Sequence, residues 1–254
     1  AHTAIVLDCP DGTRLLLDAG SGNATMCHGA ALGLMPEEFG PVLLTHHHSD
    51  HIDGLPFLEF WRTMVKPGGP PLQVYGTEET LEGVRQLCRV TRRALNVDQD
   101  GAVTDDGHAV LRWHPTEARQ RVALNGATLA FPFAADHISG AVGWRIEAGG
   151  VSVVFSGDTR FSPHLVEAAR GARLLIHEVF STEADKDRTY PHGHSTAADA
   201  GRAAAQAGVA ELVITHIDTA FHFNPQPLVA EARRYFDGPI SVASDLYQTT
   251  VGTG

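Results

Sequence analysis

Short apolar segments alternate with polar turns along the first half of the chain and predict small strands and amphipathic helices. The sequence opens on a predicted hairpin, in which strands 3–8 and 14–18 flank the Pro-Asp-Gly turn at 10–12. The spacing of apolar residues over 52–65 is typical of a helix. The polar segment 96–108 is expected to be a surface loop. The remaining predicted elements of this half are strands 41–45 and 72–75 and a helix at 78–95.

The second half repeats this pattern with more strands. The predicted strands are 109–113, 121–124, 127–133, 142–147, 151–155, 173–176, 211–214 and 240–243, and the predicted helices are 163–170, 196–207 and 226–236. We expect the second of these helices to have Ser195 as its N-cap and to end at Gly208. Strands followed by helices, twice along the chain, predict two β-sheets covered by helices, in one α/β domain that spans 1–254.

Composition narrows the class of protein. The chain has 254 residues, of which 43% are hydrophobic, enough for a sizeable core. Its net charge of −11 argues against a wide nucleic-acid interface, because phosphate contacts need a positive surface. The three cysteines have no close spacing, which argues against a disulfide framework and predicts a cytoplasmic protein. No apolar segment approaches the roughly 18 residues of a membrane helix.

Histidine is the informative residue type, with 15 copies in the chain. Where an apolar strand passes into a helix, the sequence reads His46-x-His48-x-Asp50-His51. On a tight strand-to-helix loop, residues two apart can point into the same cavity, and the Asp-His pair then faces a second centre. Imidazole and carboxylate groups are metal ligands, so this cluster predicts a metal site. His47 lies between His46 and His48 in the sequence, so its side chain is expected to point away from the cavity that they share.

Three further candidate ligands stand alone, each where an apolar strand ends. His137 follows the apolar segment 129–135, Asp158 follows the strand at 151–155, and His216 ends the strand at 212–215. Each residue alone is typical of a polar surface position. Beside the histidine cluster, the three become candidate ligands of the same metal centre.

These motifs resemble those of the metallo-β-lactamase superfamily, in particular its branch of ribonuclease Z-like and arylsulfatase- or phosphodiesterase-like proteins. The family motifs match the cluster at 46–51, His137 with the following Gly143-Trp144, the Ser-Gly-Asp-Thr around Asp158, the Thr-His at His216, His177-Glu178, and His194-Ser195-Thr196. The resemblance extends over most of the chain. It implies an αββα sandwich, an α/β fold of two mixed β-sheets with helices on the outer faces.

The resemblance also implies a dinuclear metal site. The usual division places His46, His48 and His137 on one ion and Asp50, His51 and His216 on the other, with Asp158 between the two. Nitrogen and carboxylate ligands without a thiolate suit zinc, and manganese or iron are alternatives. The implied reaction is the attack of a hydroxide, held between the two ions, on a small anionic ester. A phosphodiester is the first candidate substrate and an arylsulfate the second.

Three residues acquire catalytic roles from the same resemblance. His194 is expected to donate a proton to the leaving alkoxide. Glu178 is expected either to orient His194 or to accept a hydrogen bond from a metal-bound histidine. Asp50 is expected to orient the nucleophile as well as to bind metal.

Two observations disfavour a tRNA substrate. Ribonuclease Z enzymes project a basic arm between the lone histidine and the bridging aspartate, whereas the segment from His137 to Asp158 has room for two strands only. The net charge is also negative. We therefore expect a small-molecule ester as the substrate and no membrane partner. A homodimer is permitted but not required.

Other functions stay open. A thioesterase or lactonase would use the same hydroxide on a carbonyl carbon, and leaving-group preference with chromogenic substrates separates it from a phosphodiesterase. A non-catalytic ligand-binding protein of this fold is a further alternative, against which the complete set of ligand residues argues. A mononuclear iron dioxygenase would bind one iron and consume oxygen.

Overall fold

The chain folds into two compact units that are each built around one β-sheet. The computed structural model describes residues 2–91, 97–98, 101–102 and 110–252. The N-terminal unit comprises residues 2–117, and the C-terminal unit begins at residue 118. Among the described residues, no helix combines the length and the apolar character needed to cross a membrane. The expectation of a single domain over 1–254 stays a prediction.

The sheet of the N-terminal unit has five strands in the order β1-β2-β3-β4-β7. The strands of this unit are β1 Ile5–Asp8, β2 Arg14–Leu17, β3 Val42–Leu43, β4 Leu72–Gly76, β5 Val97–Asp98, β6 Gly101–Ala102 and β7 Leu111–Pro115. The sheet is mixed, because β1 and β2 are antiparallel whereas the remaining neighbours are parallel. Among the described residues, strands β5 and β6 form a separate two-stranded sheet. Parallel strands expose their carboxyl ends along one edge, which is where polar side chains can converge.

In the described part of the N-terminal unit there are four α-helices. They are α1 Gly22–Ala31, α2 Ser49–Ile52, α3 Leu55–Phe60 and α4 Glu78–Thr91, and a π-helical turn at Trp61–Val65 continues α3. Leu55 and Leu58 of α3 and Leu81 of α4 are fully buried in the same core as Val42 and Val74 of the sheet. This packing fixes the loop between β3 and α2 that carries the histidine cluster.

The sheet of the C-terminal unit has seven strands in the order β14-β13-β12-β11-β10-β9-β8. Its strands are β8 Val122–Asn125, β9 Thr128–Ala134, β10 Val142–Ala148, β11 Val151–Phe155, β12 Leu174–Glu178, β13 Glu211–Thr215 and β14 Ile240–Val242. Its helices are α5 Pro163–Ala168, α6 Lys186–Thr189, α7 Ala197–Ala207 and α8 Gln226–Ala232. Strands β8 to β11 are antiparallel and β11 to β14 parallel, so this sheet is mixed as well. Every residue of β12 is buried, as expected for a central strand.

The predicted strands are confirmed in position, with ends that differ by one or two residues, except that β3 is only two residues long. The predicted helix at 52–65 is instead divided among α2, α3 and the π-helical turn, and the sequence analysis missed α1 and the short helix α6. Residues 92–95 of the predicted helix at 78–95, most of the predicted loop at 96–108, and residue 109 of the predicted strand at 109–113 lie outside the described residues. The two predicted mixed sheets with helices are present.

The predicted N-cap of α7 is wrong by one residue. Thr196, not Ser195, caps the helix, because its hydroxyl accepts from the Asp199 N–H while the Asp199 carboxylate accepts from the Thr196 N–H. The Ser195 hydroxyl donates instead to the Thr159 carbonyl at 2.6 Å. Gly208 ends the helix in the left-handed conformation, as predicted.

Candidate metal and catalytic site

The sheet edge of the N-terminal unit brings together two segments that are distant in the sequence. Strands β2 and β3 are parallel neighbours, so the residues that follow them lie side by side. Asp18 follows β2, and Thr45 and His46 follow β3. Helix α2 then begins directly after His48 and places His51 in its first turn. The local fold therefore gathers the histidine cluster at one edge, as the strand-to-helix transition predicts.

The imidazole rings of this cluster lie close enough to share metal ions. His46 Nε2 lies 3.0 Å from His48 Nδ1, a separation that two ligands of one ion can have when each metal–nitrogen bond is about 2.0 Å. The rings of His46 and His51 have centroids 4.2 Å apart, and His51 Nε2 lies 3.8 Å from a carboxylate oxygen of Asp50. Both His46 and His51 are fully buried. The four predicted residues of this segment thus form one group within their unit.

Asp18 is a functional candidate that the sequence analysis missed. Its carboxylate is fully buried and accepts from the Thr45 N–H at 2.7 Å, the Thr45 hydroxyl at 2.8 Å and His51 Nδ1 at 2.7 Å. Burial raises the pKa of Asp18, and these contacts with His51 and Thr45 oppose the rise. The bond to Nδ1 fixes the tautomer of His51, so Nε2 is its candidate ligand atom. The signal in the sequence is an aspartate directly after the apolar strand β2.

Thr45 extends the same arrangement to His46. Its hydroxyl donates to Asp18, so the 3.0 Å contact with His46 Nδ1 has the ring N–H as donor. His46 therefore presents Nε2, the atom that lies beside His48. A single buried carboxylate thus orients two histidines of the cluster.

We expect Asp18→Asn to lower the affinity for metal by about 10- to 100-fold, the usual effect of removing a residue that orients a metal ligand. All three groups around the Asp18 carboxylate donate hydrogen bonds to it. In the asparagine variant, the amide NH2 would be a donor that faces one of these donors, so that hydrogen bond would be lost. Titration of the metal-free protein with zinc measures the effect. Asp8→Asn is the matched control, because Asp8 is exposed and pairs with Arg14 at the surface. Equal affinities of the two variants would contradict this role of Asp18.

His47 lies apart from the other rings of its segment. A side chain on Gly83 of α4 would meet the Cβ of His47 at 2.6 Å, so the histidine packs on that helix. Its ring centroid is 6.3 Å from that of His48. Alternate residues of the segment therefore face different surroundings, which agrees with the expectation that His47 points away.

The C-terminal unit gathers a second group of predicted residues at its own sheet edge. Asp158 follows β11, Glu178 is the last residue of β12 and His216 follows β13, and these three strands are parallel neighbours. His194 lies just before α7. His216 Nε2 lies 3.6 Å and His194 Nδ1 lies 3.8 Å from Oδ2 of Asp158. Ligand atoms of Asp158, His194 and His216 all lie within 4.8 Å of one another.

Glu178 holds the ring of His194. Its Oε1 accepts from His194 Nδ1 at 3.0 Å and from the Thr159 N–H at 2.9 Å. The side chain is buried, and burial together with the Asp158 carboxylate raises the pKa of Glu178 well above its ordinary value. The resemblance implies that Glu178 orients either His194 or a metal-bound histidine. Its contact with His194 corresponds to the first of these two roles. Nδ1 of His194 is therefore engaged by Glu178.

His137 is oriented by the backbone of the segment that precedes His194. Its Nδ1–H donates to the Gly193 carbonyl at 3.0 Å, so Nε2 is its candidate ligand atom. Gly193 has a φ of +80°, a conformation that few residues other than glycine adopt. The predicted residue His137 is thus coupled to the His194 loop.

His177, whose role the sequence left open, is an uncharged buried residue. Its Nδ1–H donates to the Glu178 carbonyl at 2.5 Å, and the side chain is fully buried. Burial lowers the pKa of His177 to about 4, so the ring is neutral at pH 7. Its contact is with the backbone of the neighbouring Glu178.

Comparison with known proteins assigns most of the chain to one family description. The sequence model described as "Beta-lactamase superfamily domain" matches residues 13–217. An uncharacterized protein of Mycobacterium leprae is 34% identical over 242 residues, which cover 92% of this chain and 77% of that protein. Ribonuclease Z of Methanothermobacter thermautotrophicus is 29% identical over 294 residues, with 98% of this chain and 91% of the enzyme covered.

A solved structure of similar fold is the metallo-β-lactamase fold protein YhfI of Bacillus subtilis. The two superpose with a TM-score of 0.76 at 25% sequence identity. The match covers 96% of this chain and 90% of YhfI. This chain and YhfI are therefore similar in fold as well as in sequence.

Proposed function

The chain belongs to the β-lactamase superfamily, and from this premise we propose that it is a dinuclear metal-dependent hydrolase of a small anionic ester, with a phosphodiester as the first candidate. Its membership confirms the resemblance and the metallo-β-lactamase fold that the sequence predicts. The observation that carries the proposal is the group around Asp158, in which a buried carboxylate lies beside two histidines. The similarity to ribonuclease Z supports a phosphodiester, the bond that a nuclease cleaves.

The proposed ligands are the seven residues that the resemblance implies. They are His46, His48, Asp50, His51, His137, Asp158 and His216. The structure fits this role at particular residues, since hydrogen bonds on Nδ1 leave Nε2 of His51 and of His137 for a metal. Imidazole and carboxylate donors suit zinc, manganese or iron. When bound, such metals lower the pKa of water toward neutrality and stabilise negative charge on the ester oxygens.

His194 is the proposed proton donor for the leaving group. Glu178 occupies its Nδ1, so the proton would leave from Nε2. The contact with Glu178 keeps Nδ1 of His194 engaged, so Nε2 is the nitrogen that gives up the proton and regains it from solvent after each turnover. This pair therefore performs acid catalysis with groups that the chain itself supplies.

A small ester fits the chain better than tRNA does. The strands β10 and β11 and their turn occupy most of the segment between His137 and Asp158, and the two strands pair along their length. This hairpin leaves no room for the projecting basic arm of the ribonuclease Z enzymes. The net charge of −11 would also repel a long polyanion.

The test is hydrolysis of bis(p-nitrophenyl) phosphate by zinc- and manganese-loaded protein. We expect turnover that disappears when a chelator removes the metal and returns when the metal is restored. Metal content is measured on the same samples. Protein that holds two metal ions and does not cleave the diester would contradict the proposal. Parallel assays with p-nitrophenyl sulfate, a thioester and a lactone then identify the bond that is cleaved.

A further inference from the structure

The aromatic ring of Phe180 stacks on the imidazole of His194. Phe180 follows β12 by two residues, and its ring centroid is 4.8 Å from that of His194, with an angle of 18° between the planes. The imidazole is also nearly parallel to that of His216, at 5.6 Å and 20°. The His194 ring therefore lies close to two flat neighbours in nearly parallel planes.

The backbone of Phe180 is tied to the segments that carry both histidines. Its N–H donates to the Ser195 carbonyl at 2.9 Å, directly beside His194. Its carbonyl accepts from the Asp218 N–H at 3.2 Å, two residues after His216. The backbone of Phe180 is thus tied both to the segment that follows His194 and to the segment that follows His216.

An ion pair supports the same ring. The guanidinium carbon of Arg188 lies 5.7 Å from the centre of the Phe180 ring, within the range of a cation–π contact. Arg188 also donates to the Asp218 carboxylate at 3.1 Å. The side chain that stacks on His194 is therefore also contacted by Arg188, which itself pairs with Asp218.

A hydrogen bond on one nitrogen does not by itself fix an imidazole. The torsion that turns the ring has a broad energy profile, so Glu178 alone permits His194 to tilt about its Nδ1 contact. A flat neighbour restricts that tilt, because offset stacking between rings depends on their being nearly parallel. The direction in which Nε2 points is then determined by the stack as well as by Glu178.

We propose that Phe180 is a positioning residue for His194, which holds the imidazole plane so that Nδ1 stays on Glu178 and Nε2 faces the leaving group. The proposal rests on the proposed function, in which His194 protonates that group. Phe180 touches neither substrate nor metal in this scheme. It acts only through the orientation of His194.

The first test compares Phe180→Leu and Phe180→Tyr on two diesters. Bis(p-nitrophenyl) phosphate has a good leaving group that needs little protonation, whereas diphenyl phosphate has a poor one. For Phe180→Leu we expect kcat to fall about tenfold on diphenyl phosphate and less than about threefold on the nitrophenyl diester, with KM unchanged. Phe180→Tyr retains a stacking ring and should restore the wild-type ratio of the two rates. Equal losses on both diesters would overturn the proposal.

The matched control is Phe236→Leu. Phe236 is buried in the core of the same unit, so the same loss of an aromatic ring occurs away from His194. This variant should leave the ratio of the two rates unchanged. A ratio that shifts as much as in Phe180→Leu would mean that the effect is structural, and would overturn the positioning role.

A second test does not depend on turnover. The ring nitrogens of His194 are observed by ¹⁵N NMR in the zinc-loaded protein and assigned by their loss in His194→Gln. In the neutral form of the ring, observed at high pH, we expect one tautomer, with the proton on Nδ1, in the wild type and in Phe180→Tyr, and a mixture of tautomers in Phe180→Leu. A single unchanged tautomer in Phe180→Leu would overturn the proposal. Absence of diester hydrolysis by the wild type would refute the proposed function alone, because the NMR comparison still decides whether Phe180 fixes the ring.

Discussion

Replacing Asp158 by alanine is expected to lower kcat for the diester by about 10³-fold, the loss that corresponds to about 4 kcal/mol of transition-state stabilisation. The resemblance makes Asp158 the ligand between the two metal ions, and its carboxylate is only 3% exposed. If the proposed dinuclear site is correct, removal should also lower the number of bound metals from two toward one. The measurement is kcat together with metal content on the same preparation.

The metal-free protein should fold without Asp158. The pKa of Glu178 is raised partly by the Asp158 carboxylate, so the two buried groups repel each other when no metal is bound. This repulsion is absent in Asp158→Ala. The free energy of unfolding of the metal-free variant should therefore not be lower than that of the metal-free wild type. Asp237→Ala removes an exposed carboxylate of the same unit and should retain both metals and full turnover. An Asp158→Ala variant with wild-type kcat would refute the role of Asp158.

Replacing Gly193 by alanine is expected to lower kcat by about 10²-fold, because a displacement of about 1 Å in an active-site group has effects of that size. A Cβ on Gly193 would lie 2.5 Å from His137 Nδ1 and 3.2 Å from the Cα of His137. The histidine or the loop must therefore move, and the hydrogen bond from Nδ1 to the Gly193 carbonyl is lost or lengthened. Kinetics and zinc affinity, measured together, separate displacement of His137 from a change elsewhere.

Gly208→Ala is the matched control for this variant. Gly208 has a φ of +64° and Gly193 a φ of +80°, so both positions impose the left-handed conformation on alanine. A Cβ on Gly208 would have no atom within 4 Å. Both variants should therefore lose about 1 kcal/mol of stability to the left-handed backbone, Gly193→Ala should lose more because of its contact with His137, and only Gly193→Ala should lose activity. Equal kinetic effects would show that backbone strain, not contact with His137, is responsible.

The candidate ligands were predictable because their signals are local in the sequence. The cluster from His46 to His51 lies within six residues, and Asp158 and His216 each follow a strand whose apolar residues mark its end. Carboxyl ends of parallel strands share an edge, so residues at several such ends can be expected near one another without knowledge of the contacts. Helix α1 escaped prediction for the opposite reason, since Gly22–Ala31 has no apolar stripe.

The contacts that orient those ligands were decided by the tertiary structure alone. Asp18 reaches His51 because β2 and β3 are parallel neighbours, a pairing that no local pattern specifies. Phe180 reads in the sequence as one more apolar residue after a strand, and only the return of the chain before α7 places it on His194. The sequence by itself determined which residue types stand at the strand ends and therefore what chemistry is available. Which nitrogen of each histidine is left for that chemistry depends on partners far away in the chain, and only the pairing of strands and the course of the loops bring those partners into contact.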